Sequence, residues 1–130
     1  MTEQKAVELA SPGKIEISDD VIKTIAGHAA SKVAGIFGLK GGFIEGAKQA
    51  VTGRKDFSAG VEVKRDPSGV ISLDMHIVVE FGVKIAEVAS AVQSATKLQV
   101  EAITGRSVGA VNINVADIKF TEEQLAPIQQ

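Results

Sequence analysis

Val70-Ile71-Ser72-Leu73-Asp74-Met75-His76-Ile77-Val78-Val79-Glu80, with the run that follows it to Gly105, decides the fold. Ile71, Leu73, Met75, Ile77 and Val79 fall on one side of this stretch. Ser72, Asp74, His76 and Glu80 fall on the other, with Val70 and Val78 as apolar exceptions. A period of two is what a strand needs when only one face of its sheet is buried. At Phe81-Gly82 the period changes. Ile85, Val88, Ala91, Val92, Ala95, Leu98 and Ala102 then recur at steps of three and four, which draws an apolar stripe along a helix. Gly105 stops that helix, where a left-handed residue is needed and glycine adopts it most cheaply. Strand face and helix stripe must bury one another, so this unit seeds a two-layer core.

Upstream, Val61 to Arg65 reads as a strand joined to the long one by Asp66-Pro67-Ser68-Gly69. Proline second and glycine fourth is a type I turn signature, so the two strands form an antiparallel hairpin. Downstream, Ala110 to Phe120 makes a last strand whose parity slips between Val115 and Ile118, which predicts a bulge. Towards the N-terminus, Ser18 is placed as an N-cap, with Asp19 and Asp20 facing the positive end of a helix dipole. That helix runs from Asp19 to Lys32, with Ile22, Ile25, Ala26, Ala29 and Val33 on one face. Lys14-Ile15-Glu16-Ile17-Ser18 alternates and predicts a short strand before it. Val33 to Gly42 is rich in glycine, and its Ile36, Phe37 and Leu39 fit a short strand or a packed loop. Phe43 to Thr52 is weakly helical. The predicted order is β-α-(loop or short α)-β-β-α-β: an α+β two-layer sandwich, with helices on one face of a small mixed or antiparallel sheet. Residues 13–120 form its single domain, between a flexible arm (1–12) and a polar tail (121–130).

A chain of 130 residues fits one domain with a modest core. Its formal charge of −2 does not make it a polyanion binder as a whole. It contains no cysteine, which excludes disulfides and thiolate metal sites and suits a cytoplasmic protein. Met1-Thr2-Glu3-Gln4-Lys5 lacks the basic-then-apolar pattern of a secretory signal. The most apolar short run, Val33 to Leu39, is far below the roughly 20 residues that cross a bilayer. Membrane contact is therefore expected to be peripheral or through a partner.

Reactive constellations are not evident. His28 falls on a helix flank and His76 on the outer side of a strand; metal sites need several ligands in register, and solvated side chains explain both. Asp19 and Asp20 are explained by the helix dipole. Asp74, Glu80 and Asp117 sit at exposed positions or strand ends, without the apolar pocket that raises a carboxyl for acid catalysis. Gly35-Ile36-Phe37-Gly38 and Gly38-Leu39-Lys40-Gly41 each match a G-x-x-G pattern, which in KH domains clamps a nucleic-acid backbone. Between residues 32 and 65, Lys32, Lys40, Lys48, Arg54, Lys55, Lys64 and Arg65 outnumber Glu45, Asp56 and Glu62. No catalytic, cofactor-binding or metal-binding residue is assigned. A contact surface for a partner is placed at Phe37, Lys40, Phe43, Arg54 and Lys55, and the edge of the last strand is a second place for self-association.

Several segments together carry a family likeness. Gly13-Lys14-Ile15-Glu16-Ile17-Ser18 leads into Val21-Ile22, Ile25-Ala26, Ala29-Ala30 and Val33-Ala34-Gly35-Ile36. Val78-Val79-Glu80-Phe81-Gly82 follows with Ile85 and Val92-Gln93, then Thr104-Gly105 and Val111-Asn112-Ile113-Asn114-Val115. In this order they resemble the alkaline-shock-protein family, the Gls-type envelope stress response proteins of Gram-positive bacteria, over residues 13–120. The resemblance implies a non-enzymatic cytoplasmic scaffold or adaptor in envelope homeostasis. It implies self-association into a homo-oligomer and a membrane-anchored partner protein, with no small-molecule substrate and no cofactor. The stretch Gly41 to Ser58 looks like an insertion that sets partner choice. A nucleic-acid-binding module using the G-x-x-G loop is the alternative.

Overall fold

The computed structural model describes residues 12–42 and 57–120. Within them the order is α1 (Asp19–Ser31), β1 (Ile36–Leu39), β2 (Val61–Arg65), β3 (Ile71–Glu80), α2 (Ile85–Thr104) and β4 (Val108–Lys119). The short helix expected over Phe43 to Thr52 lies outside the described residues, as do 1–11 and 121–130.

β3 is the axis of the sheet. β4 runs parallel along one side of it, from Ile71↔Val108 to Glu80↔Lys119. The other side is shared end to end by two short antiparallel strands. β2 pairs with Ile71 through Met75, and β1 pairs with Ile77 through Val79. The handover is at His76, whose carbonyl accepts from Lys40 N–H (2.9 Å) and whose N–H donates to Gly60 C=O (2.8 Å). The sheet is therefore mixed, and its parallel pair is joined by the long helix such a crossover requires. The β2–β3 hairpin closes as its sequence predicts. Asp66 Oδ1 accepts from Ser68 N–H (2.9 Å) and Val70 N–H (2.9 Å), and Gly69 takes a positive φ of 90°.

Both helices cover one face. Ile22, Ala26 and Ala30 of α1, with Val88, Val92 and Val100 of α2, cluster with Ile71, Leu73, Met75, Ile77 and Val79. α1 lies over β1 and β2, α2 lies over β4, and the two helices pack on each other. Two glycines make this fit possible. A Cβ on Gly27 of α1 would run into the Phe57 carbonyl, so the chain entering β2 crosses α1 there. Gly35 has a φ of 96°, and a Cβ on it would lie 2.8 Å from Val88 Cγ2.

Two expectations are corrected. Lys14 to Ser18 belongs to no sheet, because no described strand runs beside it. Ile15 is 85% exposed, Ile17 packs on the core, and the Ile17 carbonyl accepts from Arg65 Nη2 (2.9 Å). The buried line of α2 is Val88, Val92, Thr96 and Val100, not the stripe through Ala91, Leu98 and Ala102. Only Val88 and Val92 were common to both lines. A helix turns 100° per residue, so two apolar lines can coexist, and the sheet selects the β-branched one. The predicted bulge in β4 is present: Ile77 pairs with Val115 but Val78 pairs with Asp117, leaving Ala116 as the extra residue. A second register shift lies between Val108 and Val111.

Candidate functional site

The face of the sheet away from the helices is mostly polar, with Val78 as a buried apolar exception, and none of the described helices covers it. Alternation along β2, β3 and β4 delivers Glu62 and Lys64, then Ser72, Asp74 and His76, then Asn112 and Asn114 to this side. Register then joins them in two rows across three strands. In the first, Lys64 Nζ lies 3.0 Å from Asp74 Oδ2, and Asn112 Nδ2 donates to Asp74 Oδ1 (2.8 Å). In the second, His76 Nε2 lies 3.5 Å from Glu62 Oε2, and Asn114 Nδ2 lies 3.0 Å from His76 Nδ1. If Asn114 donates there, Nδ1 is the acceptor nitrogen and Nε2 carries the proton toward Glu62.

The rows are accessible: the Lys64 and Glu62 side chains are 69% and 63% exposed. A shallow depression of about 210 Å³ lies between them, lined by Glu62, Asp74, His76, Asn112 and Asn114. Hydrogen bonds from Asn112 and then Lys64 hold the Asp74 carboxyl below its usual range, and the Asp74 hydrogen bond raises the Lys64 ammonium. Both shifts stabilise the charged forms. These paired charges and amides are groups suited to hydrogen bonding with another surface. Among the described residues no group of three or more His, Cys, Asp or Glu is arranged to hold a metal.

Phe37 is half-buried in β1, at the irregularity of its pairing with β3. Lys40 is exposed just after β1 and adds to the field that lowers the Asp117 carboxyl. The larger causes at Asp117 are the Ile118 N–H and the Lys119 side chain, whose Nζ lies 3.1 Å from Asp117 Oδ2. Of the five residues assigned to a contact surface, Lys40 lies beside the second row, its N–H on the His76 carbonyl, Phe37 lies in β1, and Phe43, Arg54 and Lys55 lie outside the described residues. His28 is apart from the rows, on α1, with its ring 5.2 Å edge-on from Phe57. Asp19 adds an ion pair to its place in the first turn, 2.8 Å from Arg65 Nη2.

The nucleic-acid reading loses its geometry. Gly35 to Gly41 is not a loop between helices but β1 and its ends, with Leu39 fully buried and Ile36 4% exposed. The two polar rows, by contrast, were not assembled from sequence. Each outward residue was legible from alternation, but which strands are neighbours was not.

Residues 8–120 match the alkaline shock protein 23 family, described by a cell envelope-related function. Spy1614 of Streptococcus pyogenes, an uncharacterized protein, is 36% identical over 112 residues, covering 85% of this chain and 92% of that protein. YqhY of Bacillus subtilis, also uncharacterized, is 37% identical over 83% of this chain and 78% of its own length. A stress response regulator gls24 homolog of S. pyogenes is 31% identical over 92% of this chain and 66% of that protein. No helix among the described residues is long and apolar enough to cross a membrane. By the span of the match and the identity of these relatives, the chain belongs to the Gls24-type alkaline shock protein family, whose function is cell envelope-related.

Proposed function

We propose that this chain is a non-enzymatic scaffold or adaptor in the cell-envelope stress response, which self-associates and binds a membrane-associated partner from the cytoplasmic side. The observation that carries the reading is the pair of polar rows on the sheet face. Their charges are spent on one another across strands, and they lie on a broad exposed surface. Such a surface offers orientation-specific hydrogen bonds and little chemistry. Membership of a cell envelope-related family gives the setting. Lys40 borders the second row and supplies a cationic contact to the same partner, with Phe37 of β1 as an apolar one.

The test is crosslinking in living cells under envelope stress, followed by affinity capture and mass spectrometry. Recovery of a membrane-anchored protein crosslinked to peptides from β1, β2 or β4 is expected. Recovery of RNA, or of crosslinks confined to the helix side, contradicts the reading.

A further inference from the structure

We propose that β4 pairs antiparallel with β4 of a second copy across a two-fold axis, through residues 112–119, so that two sheets become one. This rests on the self-association proposed above and gives it a surface and a register. Among the described residues, nothing pairs with the outer side of β4. Its first part is already occupied by α2. Val108 N–H donates to Glu101 Oε2 (2.9 Å), and Gln93 Nε2 donates to Val111 C=O (2.9 Å). A pairing strand therefore has the stretch from Asn112 onward. Farther along, Ile118 N–H donates to the side chain of its own neighbour, Asp117 Oδ1 (2.8 Å), and so lies outside the ladder to β3.

The bulge at Ala116 makes this stretch self-complementary. Ile113 and Ile118 pair with Met75 and Val79, so they share the helix side of the sheet. Asn112, Asn114, Asp117 and Lys119 pair with Asp74, His76, Val78 and Glu80, and share the polar side. Laid against a reversed copy centred between Val115 and Ala116, Ile113 faces Ile118, Asn114 faces Asp117, and Asn112 faces Lys119. Apolar meets apolar, amide meets charge, and no charge meets its like, which is the pattern that stabilises cross-strand pairs. Ile118, 37% exposed in the single chain, is covered. Pairing exchanges the local Asp117–Ile118 bond for one from Ile118 N–H to the Ile113 carbonyl of the second copy. It also hands the carboxylate to the Asn114 amide of that copy. Open strand edges of this kind are the usual sites of strand addition.

The absence of cysteine makes the register directly testable. The full chain is prepared as Asn114→Cys, as Asp117→Cys and as an equal mixture, oxidised under mild conditions, and the wild type is sedimented across a concentration series. Facing Cα atoms in a pair without mutual hydrogen bonds lie about 4.5 Å apart, within disulfide reach. Residue 114 and its own copy are about three residues out of line, roughly 10 Å, beyond that reach. The expected result is a wild-type dimer or larger species and a disulfide-linked dimer in the mixture only. Self-association without that disulfide, or with Asn114→Cys linking to itself, overturns this register and leaves the scaffold reading standing. A monomer at every concentration overturns both, and leaves the edge to a strand from another protein.

Discussion

At the scale of single residues, the fold depends most on places where a side chain has been left out or left unpaired. Gly27 is within α1, where alanine would ordinarily stabilise a helix by roughly 1 kcal/mol. Because a Cβ there collides with the Phe57 carbonyl, the sign reverses. Gly27→Ala is expected to lower stability by about 1–3 kcal/mol, the usual range for overpacking, as read by urea denaturation. Thr96 is the opposite case. It is fully buried on α2, and its Oγ1 has no hydrogen-bond partner among the described residues. Thr96→Val keeps the shape, removes the stranded hydroxyl, and is expected to raise stability by about 1 kcal/mol. A melting temperature below wild type would show that the hydroxyl is engaged. Neither effect is visible in the string of letters, since an isolated glycine or threonine in a helix carries no sign of what lies opposite.

At the scale of elements, α2 separates what periodicity can reveal from what it cannot. Its sequence holds two apolar lines, and counting favoured the one through Leu98. The sheet buries the other, through Val88, Val92, Thr96 and Val100, and leaves Leu98 71% exposed. Val100→Ala should therefore cost about 1–3 kcal/mol. Leu98→Ala should stay within about 0.5 kcal/mol. Equal losses in thermal melts of the two variants would contradict this packing. The strands were more legible, because alternation with one buried face has only one solution. The turn at Asp66-Pro67-Ser68-Gly69, the bulge near Ala116 and the stop at Gly105 were readable from residue type, with Gly105 at φ 72°. Lys14 to Ser18 misled because alternation describes a side-chain pattern and says nothing of a neighbouring strand. The polar rows failed to emerge for the related reason that parallel pairing of β3 with β4 is a tertiary fact, set by α2 crossing between them.

At the scale of the whole molecule, one face of the sheet is buried under helices and the other is a lattice of mutual ion pairs and amide contacts. Four solvent-accessible side chains, two in that lattice and two at strand ends, give stability a small pH dependence. Asp74, Asp117 and Asp66 all have carboxyls held low, so each adds stability that is present above the ordinary carboxylate range of about 4 and is lost as pH falls through the lower folded values. Lys64 is raised, so its contribution is present below the ordinary lysine value of about 10.4 and is lost as pH rises through the folded one. Stability measured by urea midpoints should accordingly be flat between those limits as far as these groups decide it. Asp74→Asn should shrink the loss on the acid side. The same lattice is the surface on which the proposed function depends. The most direct measurement is in-cell crosslinking and capture repeated with Lys40→Ala, Glu62→Ala and Lys64→Ala combined, after thermal melting shows that the triple variant remains folded. Loss of the membrane-anchored partner from the captured material is the predicted result; capture at the wild-type level would contradict the account.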